Sequence, residues 1–320
     1  MKRFLSALFF VLAALHAMPA GAQDTARAGG ESHQPIRALL IVAHPDDEYE
    51  MAGTIYRITT ELSGTVDQVI ITDGEAGYRY SSLAARYYGV NLTNEATGRA
   101  RLPHIREEEA RRAARILGIR RQWFLNERDD HFTLDVQDAL KSWRTERILA
   151  ELEERLRKGD YDVVFVLLPT EDTHGQHKAA SILALEAVES LPANQRPAVV
   201  GADATPGETE SYRTLSGYPI TAANSAEPQF HFDRDVHFGF HDSLSYEIVV
   251  DWVIAEHKSQ GLFQTKCGQD RFENFWVFAL SGASGAERTA ALFERISSRS
   301  QTIDRAVDRA GNAPRAKAQQ

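Results

Sequence analysis

A histidine and three acidic residues stand together at one point of the chain. The segment reads His44-Pro45-Asp46-Asp47-Glu48 and directly follows an apolar run. Imidazole nitrogens and carboxylate oxygens bind divalent cations, so His44 and Asp47, three positions apart across a turn, can converge on one ion while Asp46 points elsewhere. For the carboxylates alone, an acidic cap at the start of a helix is the alternative, because Asp and Glu are favoured there.

A second group of the same residue types lies further along the chain, in the segment Asp172-Thr173-His174-Gly175-Gln176-His177. The His-x-x-His spacing places two imidazoles on neighbouring positions of one helical turn. By itself this spacing is a weak sign of metal binding. Together, the two groups offer two histidines and one aspartate, the usual ligand count for a catalytic zinc that keeps one position open.

Both groups follow apolar runs, 38–43 and 162–168, that are typical of strands buried on both faces of a parallel sheet. Ligands of open α/β sheets bind outside the carboxyl ends of the strands, so we expect both groups at the same edge of one sheet. Further strands are predicted at 66–72, 122–125 and 275–280. Helical spacing is predicted at 49–62, 103–117, 134–157, 176–190, 246–260 and 285–308.

The alternation of strands and helices predicts an α/β fold, a Rossmann-like, mostly parallel sheet with helices on both faces. The chain has 320 residues, with 36 Lys+Arg against 45 Asp+Glu and a formal charge of −9. This net negative charge gives no overall attraction to nucleic acid. One cysteine, Cys267, excludes a disulfide framework and a Cys-based zinc site. We expect this thiol to be buried and inert.

The first 22 residues are predicted to be a signal peptide. Lys2 and Arg3 precede an apolar run over 4–15, and Ala20-Gly21-Ala22 is a small-residue cleavage signal. A short membrane anchor or a buried helix is the alternative, but the run is shorter than the ~20 residues that cross a bilayer. We therefore expect an exported protein, periplasmic or secreted, with no membrane span after cleavage. Residues 23–35 are predicted as a flexible lead-in, 36–305 as one domain, and 306–320 as a flexible tail.

The stretch Ala43 to Glu48, A-H-P-D-D-E, resembles the signature of the PIG-L/LmbE-like zinc deacetylases, which remove acetyl groups from N-acetylglucosamine-containing compounds. The resemblance continues to about residue 260, and its family fold is Rossmann-like. The further matching segments are Thr72-Asp73-Gly74-Glu75-Ala76-Gly77, Arg106-x-x-Glu109, Phe124-Leu125 followed by Asp129, His174-x-x-His177, and His257-Lys258-Ser259-Gln260.

The resemblance implies one bound Zn²⁺ with the ligands His44, Asp47 and His177. It implies that Asp46 is the general base and that His174 helps to stabilise the oxyanion. It also implies that sugar hydroxyls are held by Arg106 and Asp129, although Arg106 lies among glutamates and a surface ion-pair face is its alternative. A site of two histidines and one aspartate suits Zn²⁺ and also accepts Fe²⁺ or Co²⁺.

The resulting hypothesis is an exported zinc-dependent amidohydrolase that removes the N-acetyl group from an amino-sugar or glycoconjugate substrate by metal-activated water. One alternative is a hydrolase of an ester or phosphoester, because a metal-activated water does not itself choose the electrophile. Another is a non-catalytic glycan-binding module on the same fold. A homo-oligomer is compatible with the sequence.

Three further features leave alternatives open. Glu48 either orients a zinc ligand or favours a helix N-terminus. Tyrosines of the long polar stretch 74–100 either stack on sugar rings or pack within the loop; they are Tyr78, Tyr80, Tyr87 and Tyr88. His231, His237 and His241 lie near Asp233 and Asp235, but their spacing matches no metal motif, and ordinary surface or core histidines are favoured over a second metal site.

Overall fold

The computed structural model describes residues 34–207, 211–238 and 240–298. The predicted signal peptide, nearly all of the predicted lead-in and the predicted tail lie outside these residues. Contacts divide the chain into residues 1–34 and residues 35–320, and every element named below belongs to the second unit. Within the described residues, no helix is both long enough and apolar enough to cross a membrane.

The described part of the chain forms strands and helices in alternation. The strands are β1 (Arg37–Val42), β2 (Thr65–Thr72), β3 (Arg121–Glu127), β4 (Val163–Leu167), β5 (Ala198–Thr205), β6 (Phe230–Asp233), β7 (His237–Phe238), β8 (Leu244–Ser245) and β9 (Phe272–Val277). The α-helices are α1 (Ala52–Tyr56), α2 (Ser82–Tyr88), α3 (Glu95–Leu117), α4 (Val136–Ser142), α5 (Thr145–Gly159), α6 (Gly175–Glu189), α7 (Tyr246–Glu256) and α8 (Gly282–Ser297).

Seven strands form one sheet in the order β3-β2-β1-β4-β5-β9-β6. The first five of these are parallel, and β9 runs antiparallel to both of its neighbours. The chain moves from β1 outward to β2 and β3, and later returns to place β4 on the other side of β1. The order therefore reverses between β1 and β4, and such a switch point is where ligands of open α/β sheets bind.

Side chains of β1 alternate between two apolar layers, which explains its continuous apolar sequence. Leu40 and Val42 pack into the layer that contains residues of α1, α3, α7 and α8. Leu39 and Ile41 pack into the opposite layer, with residues of α4, α5 and α6. Helices cover both layers, so the central strands are buried on both faces, as the sequence predicts.

The predicted helix over 134–157 is wrong in one respect: the structure has two helices there, α4 and α5. They are separated at Trp143 and Arg144, and Arg144 has a non-helical backbone, with φ −83° and ψ 71°. The Trp143 indole N–H donates to the Arg128 carbonyl, and the Arg144 N–H donates to the Glu127 carboxylate. The Arg144 N–H therefore bonds to the end of β3 and not to a carbonyl of α4, and the Trp143 side chain adds a second link at the same place. The apolar periodicity records neither bond.

The predicted helix over 103–117 starts too late, because α3 begins at Glu95. The side chain of Asn94 caps it by accepting the Thr97 N–H at 3.0 Å. Pro103, the first residue of the predicted range, lies inside α3. The predicted end is confirmed: Gly118 has a φ of 67°, in the left-handed region that glycine adopts without strain. The predicted polar stretch 74–100 therefore contains α2 and the first turns of α3.

Candidate metal centre and catalytic cleft

Three donor atoms meet at the switch point of the sheet. His44 follows the end of β1, Asp47 begins the 3₁₀ turn Asp47–Met51, and His177 lies in the first turn of α6, which follows β4. His44 Nδ1 is 3.0 Å from His177 Nε2, Asp47 Oδ1 is 3.2 Å from His177 Nε2, and His44 Nδ1 is 3.7 Å from Asp47 Oδ1. Across the described residues this is the only group of three or more His, Cys, Asp or Glu with the geometry to hold a metal.

These distances fit a single divalent cation. Ligand atoms about 2.0–2.1 Å from a tetrahedral zinc lie roughly 3.3 Å from one another, close to the three separations given above. Two imidazole nitrogens and one carboxylate oxygen are also the kind of donor set that catalytic zinc sites use. The three residues predicted as ligands are therefore brought together.

Hydrogen bonds hold each donor in orientation. Oδ2 of Asp47 accepts the backbone N–H groups of Ala43 and His44, at 3.0 and 2.8 Å, and this leaves Oδ1 for a cation. His44 Nε2 lies 2.6 Å from Gln176 Oε1, so the Nε2–H donates and Nδ1 keeps its lone pair. His177 Nδ1 is 3.2 Å from the Thr173 hydroxyl. Such partners fix the tautomer and ring orientation of metal-binding histidines.

Gln176 and Thr173 were not predicted as functional residues, although both lie within the segment 172–177. Polar residues next to a candidate ligand in the sequence are candidates for its hydrogen-bond partners. Residues adjacent in a helix point in different directions, however, so the sequence does not show which of them faces the ligand. Which of these neighbours turns toward His44 depends on how α6 packs beside β1.

The pKa values of the candidate ligands depend on one another, because their charged groups lie close together. Burial alone would lower the pKa of His44, but the Asp47 carboxylate outweighs this effect and raises it to about 9. Burial disfavours the ionised form of Asp47, yet His177 and His44 hold the pKa of that carboxyl well below its usual range. Without a cation, His44 and Asp47 thus form a buried ion pair. A cation that binds there must displace the proton on His44.

Asp46, the predicted base, lies beside these three residues in the same cleft. Its φ is 123°, which residues other than glycine rarely adopt. The carboxylate Oδ1 is 3.1 Å from Nη2 of Arg106. Burial raises the pKa of Asp46 to about 6, and the Arg106 guanidinium acts in the opposite direction. A carboxyl with a pKa in this range is suited to both taking and returning a proton near neutral pH.

His174 caps the N-terminus of α6 and also faces the cleft. Its Nδ1 accepts the backbone N–H of Gln176 at 3.0 Å, so the ring proton belongs on Nε2. Burial, together with the nearby His44 and His177, lowers the pKa of His174 to about 2. The His174 ring is therefore neutral near pH 7 and carries its N–H on Nε2.

All seven predicted site residues line one cleft of about 260 Å³. Arg106 is buried, and its guanidinium donates to the Gly74 and Pro45 carbonyls at 2.9 and 2.6 Å. Asp129 is buried as well, and it accepts the Ala76 N–H at 3.2 Å. These bonds tie together the loops that follow β1, β2 and β3. Contact of Arg106 and Asp129 with sugar hydroxyls stays a prediction.

The hydrogen bonds of the Glu48 carboxylate go to His257 and Asp46, and not to the candidate ligands His44, Asp47 and His177. Its Oε1 is 2.6 Å from His257 Nε2, and its Oε2 accepts the Asp46 N–H at 3.2 Å. The segment His257 to Gln260 is held to α3 because the Glu109 carboxylate accepts the N–H and hydroxyl of Ser259, at 2.8 and 2.6 Å. The first and the last of the matching segments thus contact each other next to the cleft, which Gln260 helps to line.

The remaining open features resolve differently. Tyr78 and Tyr80 line the cleft, whereas the Tyr88 hydroxyl donates to Glu109. His231 Nδ1 is 2.6 Å from the Asn274 side-chain oxygen. This bond agrees with the ordinary, non-metal role that the sequence favours for His231. The expectation that Cys267 is buried is wrong: it is exposed, in the loop between the 3₁₀ turn Phe263–Lys266 and β9.

The Rossmann-like sheet and the His-Asp-His group at its switch point together place this protein in a class of α/β proteins with a candidate metal centre at the carboxyl ends of the strands. Residues 39–188 match the family described as PIG-L: GlcNAc-PI de-N-acetylase. The matched residues make up just under half of the chain, and the match confirms the resemblance to the PIG-L/LmbE-like deacetylases drawn from the motifs and supports the prediction of a hydrolase of N-acetyl amides.

Relatives are found among bacterial and archaeal proteins. A probable N-acetyl-alpha-D-glucosaminyl L-malate deacetylase 2 of Bacillus cereus is 26% identical over 241 residues, 75% of this chain and 96% of the relative. Its namesake in Bacillus anthracis is 29% identical over 160 residues, 50% of this chain and 62% of the relative. The solved N,N'-diacetylchitobiose deacetylase of Pyrococcus horikoshii is 20% identical, covering 76% of this chain and 84% of that one, with a TM-score of 0.47.

Proposed function

We propose that this protein is an exported, zinc-dependent hydrolase that removes the N-acetyl group from an N-acetylglucosamine-containing or related N-acylated amino sugar. The observation that carries the proposal is the meeting of His44, Asp47 and His177 in one cleft with Asp46 and His174. The match of residues 39–188 to the PIG-L family and the deacetylase names of the relatives support the reaction type.

An acetamide is a poor electrophile, and water is a poor nucleophile at neutral pH. His44, Asp47 and His177 would hold a zinc ion, and such an ion would supply a water of lowered pKa, about 7, and polarise a carbonyl group. Asp46 takes the proton of the attacking water as the new carbon–oxygen bond forms. Asp46 then passes that proton to the nitrogen as the carbon–nitrogen bond breaks, so that acetate and a free amine leave. A positioned acid–base group of this kind is typically worth about 10²–10⁴ in rate.

The Nε2–H of His174 has the role of a donor to the carbonyl oxygen as negative charge develops on it. Because the ring is neutral and its other nitrogen is already bonded to the helix, the donor is oriented before the substrate arrives. A donor of this kind contributes to transition-state stabilisation without any reorganisation during the reaction.

Export rests on the composition of residues 1–22. An extracytoplasmic location favours a glycan or an exogenous amide as the substrate over an intermediate of thiol-cofactor biosynthesis. N-terminal sequencing of the protein recovered from the periplasm or the medium tests this part of the proposal, with an N-terminus at Gln23 as the expected result. A full-length N-terminus on protein retained in the cytoplasm would contradict it.

The activity is tested by following acetate release from a panel of N-acetylglucosamine compounds, with mass spectrometry of the products. We expect release that a chelator abolishes and that added Zn²⁺ restores. Absence of release across the panel, together with phosphatase or esterase activity, would overturn the proposal in favour of another bond. Binding without turnover of any kind would point to a non-catalytic glycan-binding module.

A further inference from the structure

The backbone of Asp46 is held in a conformation that it does not adopt readily. At φ 123° and ψ −18° the residue lies outside the regions that L-residues prefer, and such conformations cost on the order of 1–3 kcal/mol. A residue in this state persists only when its surroundings hold it. The groups that hold Asp46 therefore decide where its carboxylate lies.

Asp46 is held at three points in addition to the bond that its carbonyl accepts from the Tyr49 N–H at 3.2 Å. Its backbone N–H donates to Oε2 of Glu48 at 3.2 Å. The carbonyl of the preceding Pro45 accepts from Arg106 Nη2 at 2.6 Å, and the same Nη2 is 3.1 Å from Oδ1 of Asp46 itself. Arg106 thus holds one side of the turn, and Glu48 is what holds the peptide N–H on the other side.

Glu48 is held in turn by His257. Oε1 of Glu48 is 2.6 Å from Nε2 of His257, and the two side chains are 1% and 0% exposed. His257 Nδ1 has no hydrogen-bond partner among the residues that the structure describes, so the bond to Glu48 is the described polar anchor of the ring. A carboxylate and an imidazole buried and paired in this way are often no more stabilising than apolar residues of similar volume. Stability alone therefore does not explain its presence next to the base.

The position of His257 is itself fixed from two sides. His257 directly follows the last residue of α7, and its N–H donates to the Ile254 carbonyl. Two residues later, Ser259 is bound through its N–H and hydroxyl to the buried Glu109 of α3. The imidazole is thus held between α7 and α3 by hydrogen bonds on both sides of it in the chain.

We propose that Glu48 and His257 are positioning residues for Asp46: His257 orients the Glu48 carboxylate, and Glu48 holds the Asp46 N–H so that the base stays directed into the cleft. The proposal rests on the proposed function, since it assigns Asp46 as the base. Neither residue touches the reacting atoms. Misplacement of a catalytic group by about 1 Å can cost on the order of 10²-fold in rate, which sets the scale of the effect.

The test compares disruptive and conservative variants of the metal-loaded protein. Glu48→Ala and His257→Phe remove the anchoring groups, and we expect kcat to fall about 10–100-fold with KM and zinc content within twofold of the original protein. Glu48→Gln keeps an oxygen for the Asp46 N–H, and His257→Gln keeps an N–H donor near the position of Nε2. Both conservative variants are expected to recover kcat to within a few-fold.

Tyr246→Phe is the matched control. Tyr246 begins the same helix α7, is similarly buried, and donates a hydrogen bond of 2.7 Å to the Glu61 carboxylate. Its removal is expected to lower the melting temperature and leave kcat unchanged. If Glu48→Ala and His257→Phe lower kcat no more than this control does, the proposal fails. Should either single variant not fold, Glu48→Leu combined with His257→Phe removes both charged partners together, and a kcat equal to that of the original protein would overturn the proposal.

A crystal structure of Glu48→Ala gives a readout that does not depend on activity. We expect Asp46 to relax to a negative φ and its carboxylate to move away from Arg106. A φ that stays near 123° would overturn the positioning role even in an inactive variant. If instead the unaltered, zinc-loaded protein releases no acetate, the proposed function fails, and the positioning of Asp46 is still decided by this structural comparison.

Discussion

His44 Nδ1 lies 3.0 Å from His177 Nε2, although 133 positions separate the two residues in the chain. The parallel pairing of β1 with β4 brings them together, with Leu39 opposite Val164, because both histidines follow the carboxyl ends of these strands. Two imidazole nitrogens this close, with the Asp47 carboxylate beside them, form a centre whose behaviour can be tested residue by residue.

Asp46→Ala and His177→Ala are expected to separate turnover from metal binding. The first removes the base but none of the three donor atoms, so zinc stays bound while acetate release falls by about 10²–10⁴-fold. The second removes a donor, so zinc itself is lost. Metal analysis of both purified variants, beside their acetate release, checks this. Zinc-free Asp46→Ala protein would contradict the division of roles.

Gln176→Leu is expected to weaken zinc binding about 10–100-fold, because removing the partner of a metal-binding histidine typically costs this much. The Gln176 carbonyl accepts the His44 Nε2–H and so leaves Nδ1 as the donor to the metal. Competition with a chromophoric chelator measures the affinity. Gln137→Leu is the control, since this exposed helical glutamine donates only to the Tyr218 hydroxyl. Equal affinity of the two variants would argue against an orienting role for Gln176.

Arg234→Met is expected to destabilise the protein by about 3–5 kcal/mol, because it leaves a buried carboxylate without its partner. Arg234 is fully buried, 3.0 Å from the Glu273 carboxylate, and it stacks over the ring of Tyr49. Arg271→Met is the comparison. The Arg271 side chain is half-exposed and pairs with Asp233 at the end of β6, so its loss should cost only about 0–1 kcal/mol. Urea unfolding of the two variants gives both free energies, and similar values would refute the role of burial.

Glu50→Gln is expected to change how stability depends on pH. Burial, and then the nearby Asp203 carboxylate, raise the pKa of Glu50 to about 8, above its unfolded value of 4.5. A raised pKa favours folding below pH 4.5, and that contribution is lost as the pH rises toward 8. The variant should therefore gain stability relative to the original protein between pH 5 and 8. Melting temperatures across this range test it, and a constant difference would contradict the shift.

Much of the fold follows from patterns that are local in sequence. The apolar runs of β1 and β4 are typical of strands buried on both faces, and the helical segments between them indicate a parallel sheet. The placement of one polar group after each run then brings His44 and His177 to the same edge. Residue types and spacing thus predicted the fold class and the two groups of candidate residues, and the resemblance of the motifs added which histidine of the pair His174 and His177 is the ligand.

The tertiary structure decided the contacts between distant residues. The pairing of Glu48 with His257 joins positions 209 apart and depends on how α7 packs behind the cleft. The break between α4 and α5 arises from bonds to the end of β3, and the φ of Asp46 depends on Arg106 and Glu48 together. An apolar pattern specifies which face of an element is buried. It does not specify which polar atom meets which, because that depends on the packing of whole elements.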